Sequence, residues 1–71
     1  MTGDEFRAWR ERHRLTQDQA ATITGVSREC VSRWEHGRFA VGATVARLCQ
    51  AWDRMKPEQR KAFYAWCGRQ E

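Results

Sequence analysis

Ser27, Arg28, Glu29, Ser32 and Arg33 crowd hydroxyl, carboxylate and guanidinium groups into seven consecutive residues. Their chemistry is directed hydrogen bonding: a guanidinium presents a rigid fork of donors that suits a phosphate or a planar pair of acceptors, and a hydroxyl donates or accepts. Arg28 and Arg33 are five residues apart, about one and a half helical turns, so on a helix they reach different points of one long partner. Glu29 would repel an anion unless it accepts from an amine or steers the neighbouring arginines, and it also suits a helix N-terminus. The rest of the chain offers little else that reacts. Paired carboxylates, a Cys/His dyad and a phosphate-binding loop are all missing, so we expect no enzyme. His13, His36 and Cys30 lack metal-ligand spacing, and neither a metal nor a cofactor is expected.

The totals agree with an anionic partner. Thirteen basic residues face nine acidic ones in 71 residues, for a net charge of +4, and eleven of the thirteen are arginine. Such an excess attracts a polyanion, although it would also simply keep a small domain soluble. The N-terminal residues interleave acids and arginines with apolar residues, unlike a signal peptide, and no run approaches the roughly 18 apolar residues of a membrane span. A cytoplasmic location and no membrane association are therefore expected. The cysteines, Cys30, Cys49 and Cys67, are odd in number and form no CxxC pair, so reduced thiols packed as small hydrophobes are the default.

Punctuation in the sequence predicts five short helices and no strand, an all-α class in a single domain over residues 1–71. Thr2 with Glu5 is a capping box opening a helix from about Gly3 to His13, with Phe6 and Trp9 on its apolar stripe. Thr16 with Gln19 repeats the device for a helix of about eight residues containing Ala20, Ala21 and Ile23. Gly25 supplies a left-handed corner, Val26 plugs it, and Ser27 caps the third helix. There Val31 and Trp34 face inward and Gly37 ends the helix. A fourth helix, about Ala43 to Arg54, carries Val45, Leu48, Cys49 and Trp52. Pro57 opens a fifth that runs to about Cys67, with Ala62, Phe63, Trp66 and Cys67 as its stripe.

The segment LTQDQAATITGVSRECVSRWEHG resembles the helix-turn-helix of the phage repressor and Cro-like family, the XRE class. Leu15, Thr16, Gln17, Ala21, Gly25, Val26, Ser27, Ser32, Trp34, Glu35 and Gly37 carry the likeness, which extends over roughly residues 3 to 54. It implies a lambda-repressor-like fold with the helix-turn-helix at residues 16–37 and a fifth helix, about residues 57–67, as a C-terminal addition for packing or dimerisation. By the same resemblance Ser27, Arg28, Glu29, Ser32 and Arg33 read base edges in the major groove. Gln17, His36 and Arg38 hold phosphates, and Arg10 pairs with Glu35 inside the fold. The implied function is a sequence-specific DNA-binding transcriptional regulator: a homodimeric repressor on a short inverted repeat, often in its own promoter; the chain's size suits a phage or mobile-element operon. Phe63, Trp66 and Cys67 would form the dimer interface, with no small-molecule ligand. An antitoxin or adaptor binding a protein through the fifth helix is the alternative. Ala20 and Thr24 depart from the family pattern and predict thinner packing of the second helix, compensated by Trp9, Trp34 and Trp52, and the absence of proline near Val41 and Gly42 predicts a less fixed entry to the fourth helix.

Overall fold

The computed structural model describes residues 1–70. The helices are α1 (Gly3–Arg12), α2 (Gln17–Thr24), α3 (Arg28–Glu35), α4 (Ala43–Arg54) and α5 (Pro57–Cys67), with no strand among the described residues. The first three begin where their side-chain caps dictate. Thr2 Oγ1 accepts from the Glu5 amide and the Glu5 carboxylate accepts from the Thr2 amide, and Thr16 with Gln19 repeats the box. Ser27 Oγ accepts from the Cys30 amide at 3.1 Å. Each of these bonds satisfies an amide that the first helical turn leaves free.

The same three helices end alike, on one residue in the left-handed region: Arg14 (φ 56°) after α1, Gly25 (φ 75°) after α2 and Gly37 (φ 74°) after α3. After α1 the Leu15 amide donates to Arg10 O and the Arg14 amide to Glu11 O. After α3 the Arg38 amide donates to Arg33 O and the Gly37 amide to Trp34 O. Both pairs are the Schellman pattern. Arg14 occupies its position against the steric preference of an L side chain.

The core forms around Phe6, Trp9, Ala20, Ala21, Ile23, Val31, Trp34, Val41, Cys49 and Trp52. Much of it is aromatic and joined edge to face: Phe6 meets Trp34 with centroids 5.1 Å apart, and Trp9 meets Trp52 at 6.4 Å. Such edge contacts set the positive rim of one ring against the negative face of the next. Trp9 Nε1 also donates to Cys49 O, tying α1 to α4, whereas the buried Trp52 Nε1 has no partner. α1 crosses α3 so closely at Gly3 that a Cβ there would lie 1.7 Å from Trp34 O.

α5 folds back on its own chain. Phe63 meets Trp52 edge-on at 6.2 Å, and the Cys67 thiol lies 4.0 Å from Ile23 O on α2. Arg60 donates to Trp52 O and Asp53 O, capping the last turn of α4. The inner face of α5 is therefore Arg60, Phe63, Tyr64 and Cys67, and Ala62 is exposed. The apolar stripe expected from the sequence differs at Ala62 and Trp66, both exposed: Arg60, bonded to the carbonyls of α4, and Tyr64 join Phe63 and Cys67 on the inner face instead.

Candidate nucleic-acid interface

α3 lies across α2 with its front turn exposed. Gln17, Arg28, Glu29, Ser32 and Arg33 line a shallow, polar concavity of about 300 Å³. Two helices thus contribute to one face: Gln17 from the first turn of α2 and the other four from α3. Ser27, as the cap of α3, stands exposed at the mouth of that helix. Arg33 and Glu29 make no ion pair among the described residues, while Arg28 Nε lies 3.5 Å from Asp18 Oδ1 at the start of α2. That pair is too exposed to stabilise the fold much, so Arg28 is held loosely and can turn to another acceptor.

Behind this face an ion pair fixes α3 to α1. Arg10 Nε donates to Glu35 Oε2 at 2.7 Å and Arg10 Nη2 to Glu35 Oε1 at 2.9 Å, while Nη1 donates to Leu15 O. The side chains are only 14% and 4% exposed. Burial alone would push the Glu35 carboxyl up, but the hydrogen bonds from Arg10 and Gln17 outweigh it and hold the group below the usual carboxylate range. The Glu35 hydrogen bond raises the Arg10 guanidinium still further above neutrality. Both stay charged, and the fork-to-fork geometry sets the angle at which α3 leaves α1.

Gln17 is partly occupied at this junction, with its amide 3.4 Å from Glu35 Oε1, so its contact with any ligand would share the donor with the ion pair. His36 turns back on α3, its Nδ1 2.7 Å from Ser32 O, which leaves Nε2 as the ring nitrogen for an outside partner. Arg38 is exposed in the loop that follows. A second polar cluster, away from the α3 front, joins the ends of α1 and α4: Arg12 and His13 both bond the Asp53 carboxylate. Burial works against that carboxylate's charge, and the His13 and Arg12 hydrogen bonds overcome it. Asp53 and Asp18 were absent from the sequence reading. The partners of Asp53 lie 40 and 41 positions away and that of Asp18 lies 10 away, and no local pattern signals such pairs. Phe63 and Cys67 are half-buried against their own chain, while Trp66 is 50% exposed and stacked on Phe63 with centroids 5.8 Å apart.

The chain matches the helix-turn-helix domain family over residues 3–63. It belongs to the XRE class of that family. Among curated proteins it is similar to the HTH-type transcriptional repressor RghR of Bacillus subtilis (strain 168), 43% identical over 51 residues, which is 69% of this chain and 38% of the relative. The chain therefore spans well under half the length of that relative. No solved structure matches it. The match reaches into α5, beyond the 3–54 span that the sequence motif carried. No helix among the described residues is long and apolar enough to cross a membrane, and no group of three or more metal-ligating side chains occurs among them.

Proposed function

We propose that the protein is a sequence-specific DNA-binding transcriptional regulator, most simply a repressor that binds a short inverted repeat as a homodimer, its own promoter included. The observation that carries this reading is the α3 front. Arg28, Glu29, Ser32 and Arg33 share one exposed concavity with Gln17 of α2, on a helix whose attitude a buried ion pair fixes. A major groove about 12 Å wide admits such a helix, and a bidentate arginine to guanine discriminates by about 1 to 3 kcal/mol. Ser27, Arg28, Glu29, Ser32 and Arg33 are the base-reading set, and Gln17, His36 and Arg38 the phosphate set. Selection from a random duplex pool, followed by titration with Arg28→Ala and Arg33→Ala, tests the assignment. Recovery of no preferred sequence, or an unchanged preference in both variants, would sink it. Affinity should also fall steeply with salt, by a log-log slope of about 0.9 per phosphate contact.

Trp66 supports the homodimer. It is half exposed and stacked on Phe63, beside an apolar groove formed with Leu48, Ile23 and Cys67. A dimer on an inverted repeat needs its two recognition helices on successive turns of one DNA face, about 34 Å apart. Trp66→Asp should yield a monomer in sedimentation velocity and weaken binding to the full repeat more than to a half-site. The same face favours a second reading, an antitoxin or adaptor that binds another protein through α5. A wild-type protein that is monomeric at all concentrations would favour it over the dimer.

A further inference from the structure

Three helices of this chain end on a left-handed residue, and at two of them the next residue is apolar and packs on the core: Leu15 after Arg14 and Val26 after Gly25. That is the usual arrangement, an apolar side chain just past the helix end covering its last turn. After α3 the pattern changes. The residue in that place is Arg38, its amide pinned to Arg33 O at 3.0 Å, and the apolar residue, Phe39, comes one position later. Phe39 is 59% exposed, the most exposed large hydrophobic among the described residues, although Val41 two residues on is buried. The loop is thus anchored on both sides of a ring that it leaves in solvent. Arg33 and Arg38, neither in an ion pair among the described residues, flank the same helix end.

Folding gains nothing from this substitution of a cation and a bare ring for a covering aliphatic. A partner that is anionic and apolar within a few ångströms gains from both. The DNA backbone is such a partner, because each phosphate is followed by a deoxyribose whose carbon face is uncharged. We propose that Phe39 extends the phosphate contact assigned above to Arg38 into a two-part grip on the backbone beside the bases that α3 reads, the phenyl ring lying flat on the sugar next to the phosphate that the guanidinium holds. The proposal rests on the DNA-binding reading of α3 and adds a contact that no charge pattern would reveal. Because sugar and phosphate carry no sequence, the grip strengthens binding without altering which sequence is preferred.

Phe39→Ser, Phe39→Leu and Arg38→Ala should be titrated against the selected duplex and an unrelated duplex, each at several salt concentrations. Phe39→Ser should weaken binding to both duplexes by about five- to twentyfold, the value of roughly half of the ring's exposed area, the one face laid on the sugar. The salt slope should not change, since no counterion is released by an apolar contact. Arg38→Ala should lower that slope by about 0.9. Phe39→Leu should recover most of the loss, and all three variants should melt like the wild type because both side chains are exposed. Unchanged affinity in Phe39→Ser overturns the grip. So does a changed base preference, which would make Phe39 a base reader, or a changed sedimentation coefficient, which would place it between copies of the chain. Failure of the DNA-binding reading shows separately, as a selection that returns no sequence and wild-type protein that binds neither duplex.

Discussion

Replacing Glu35 by alanine should remove about 2 to 4 kcal/mol of stability, and the amount should depend on pH in a defined direction. The wild-type carboxylate is almost fully buried and accepts two short bonds from Arg10. Breaking a buried pair by deleting one partner costs about 3 to 5 kcal/mol, chiefly because the other charge is left unpaired. Arg10 retains its bond to Leu15 O and some contact with water, which trims that figure. A domain of this size has about 4 to 10 kcal/mol in total, so the variant would stand near its unfolding threshold, with a melting temperature lower by roughly 10 to 25 °C. The pH dependence follows from Glu35 titrating below its ordinary value. Its folded-state pKa is depressed, so the pair's stabilisation is complete above about pH 4.3, the unfolded glutamate value, and is lost as the pH falls through the folded value. Urea melts followed by circular dichroism at pH 7 and at successively lower pH should show the difference between wild type and Glu35→Ala shrinking below that point. The double variant Arg10→Met with Glu35→Leu should be far less damaged than the sum of its parts, since it leaves no stranded charge. A difference below 1 kcal/mol at pH 7, or one that does not change with acid, would refute this account of what sets α3 against α1.

Three further outcomes are expected. Gly3→Ala should destabilise by more than about 2 kcal/mol, read by thermal melts, because the new methyl group would lie inside the Trp34 carbonyl and backbone cannot yield as a side chain does. Arg14→Gly should stabilise by about 1 kcal/mol in the same assay, as it removes the Cβ from a left-handed position. Alkylation followed by mass spectrometry at pH 8 should leave Cys49 unmodified in the folded protein, since burial pushes its thiol up to about 12, and full labelling should appear only in denaturant.

Helix ends were the most legible part of this sequence because they depend on residues three or four apart. Thr2 with Glu5, Thr16 with Gln19, and Ser27 each cap a helix where expected, and α1 differs from expectation only in that His13 is its cap and not its last residue. That Arg28, Glu29, Ser32 and Arg33 would share one face was legible for the same reason: they lie within six positions of one helix. What escaped were features made by helices crossing. Gly3 reads locally as an ordinary first-turn residue, and only the approach of α3 gives its missing side chain a purpose. Ala62 reads as part of an apolar stripe, and Arg60 displaces it by reaching the carbonyls of α4. The expected thin packing around Ala20 and Thr24 is met partly by α5: both residues lie on α2, Ala20 is fully buried, and Phe63 and Cys67 share a groove with Ile23 and Thr24.

The aromatic chain that runs from Phe6 through Trp9 and Trp52 to Phe63 and Trp66 has a practical use. Three of the four indoles are sealed in the interior, and one, Trp66, stands half in water. An aqueous quencher such as iodide therefore addresses a single indole, the one on the face proposed for the dimer. Steady-state fluorescence of the unlabelled protein can then follow occupancy of that face by loss of quenching.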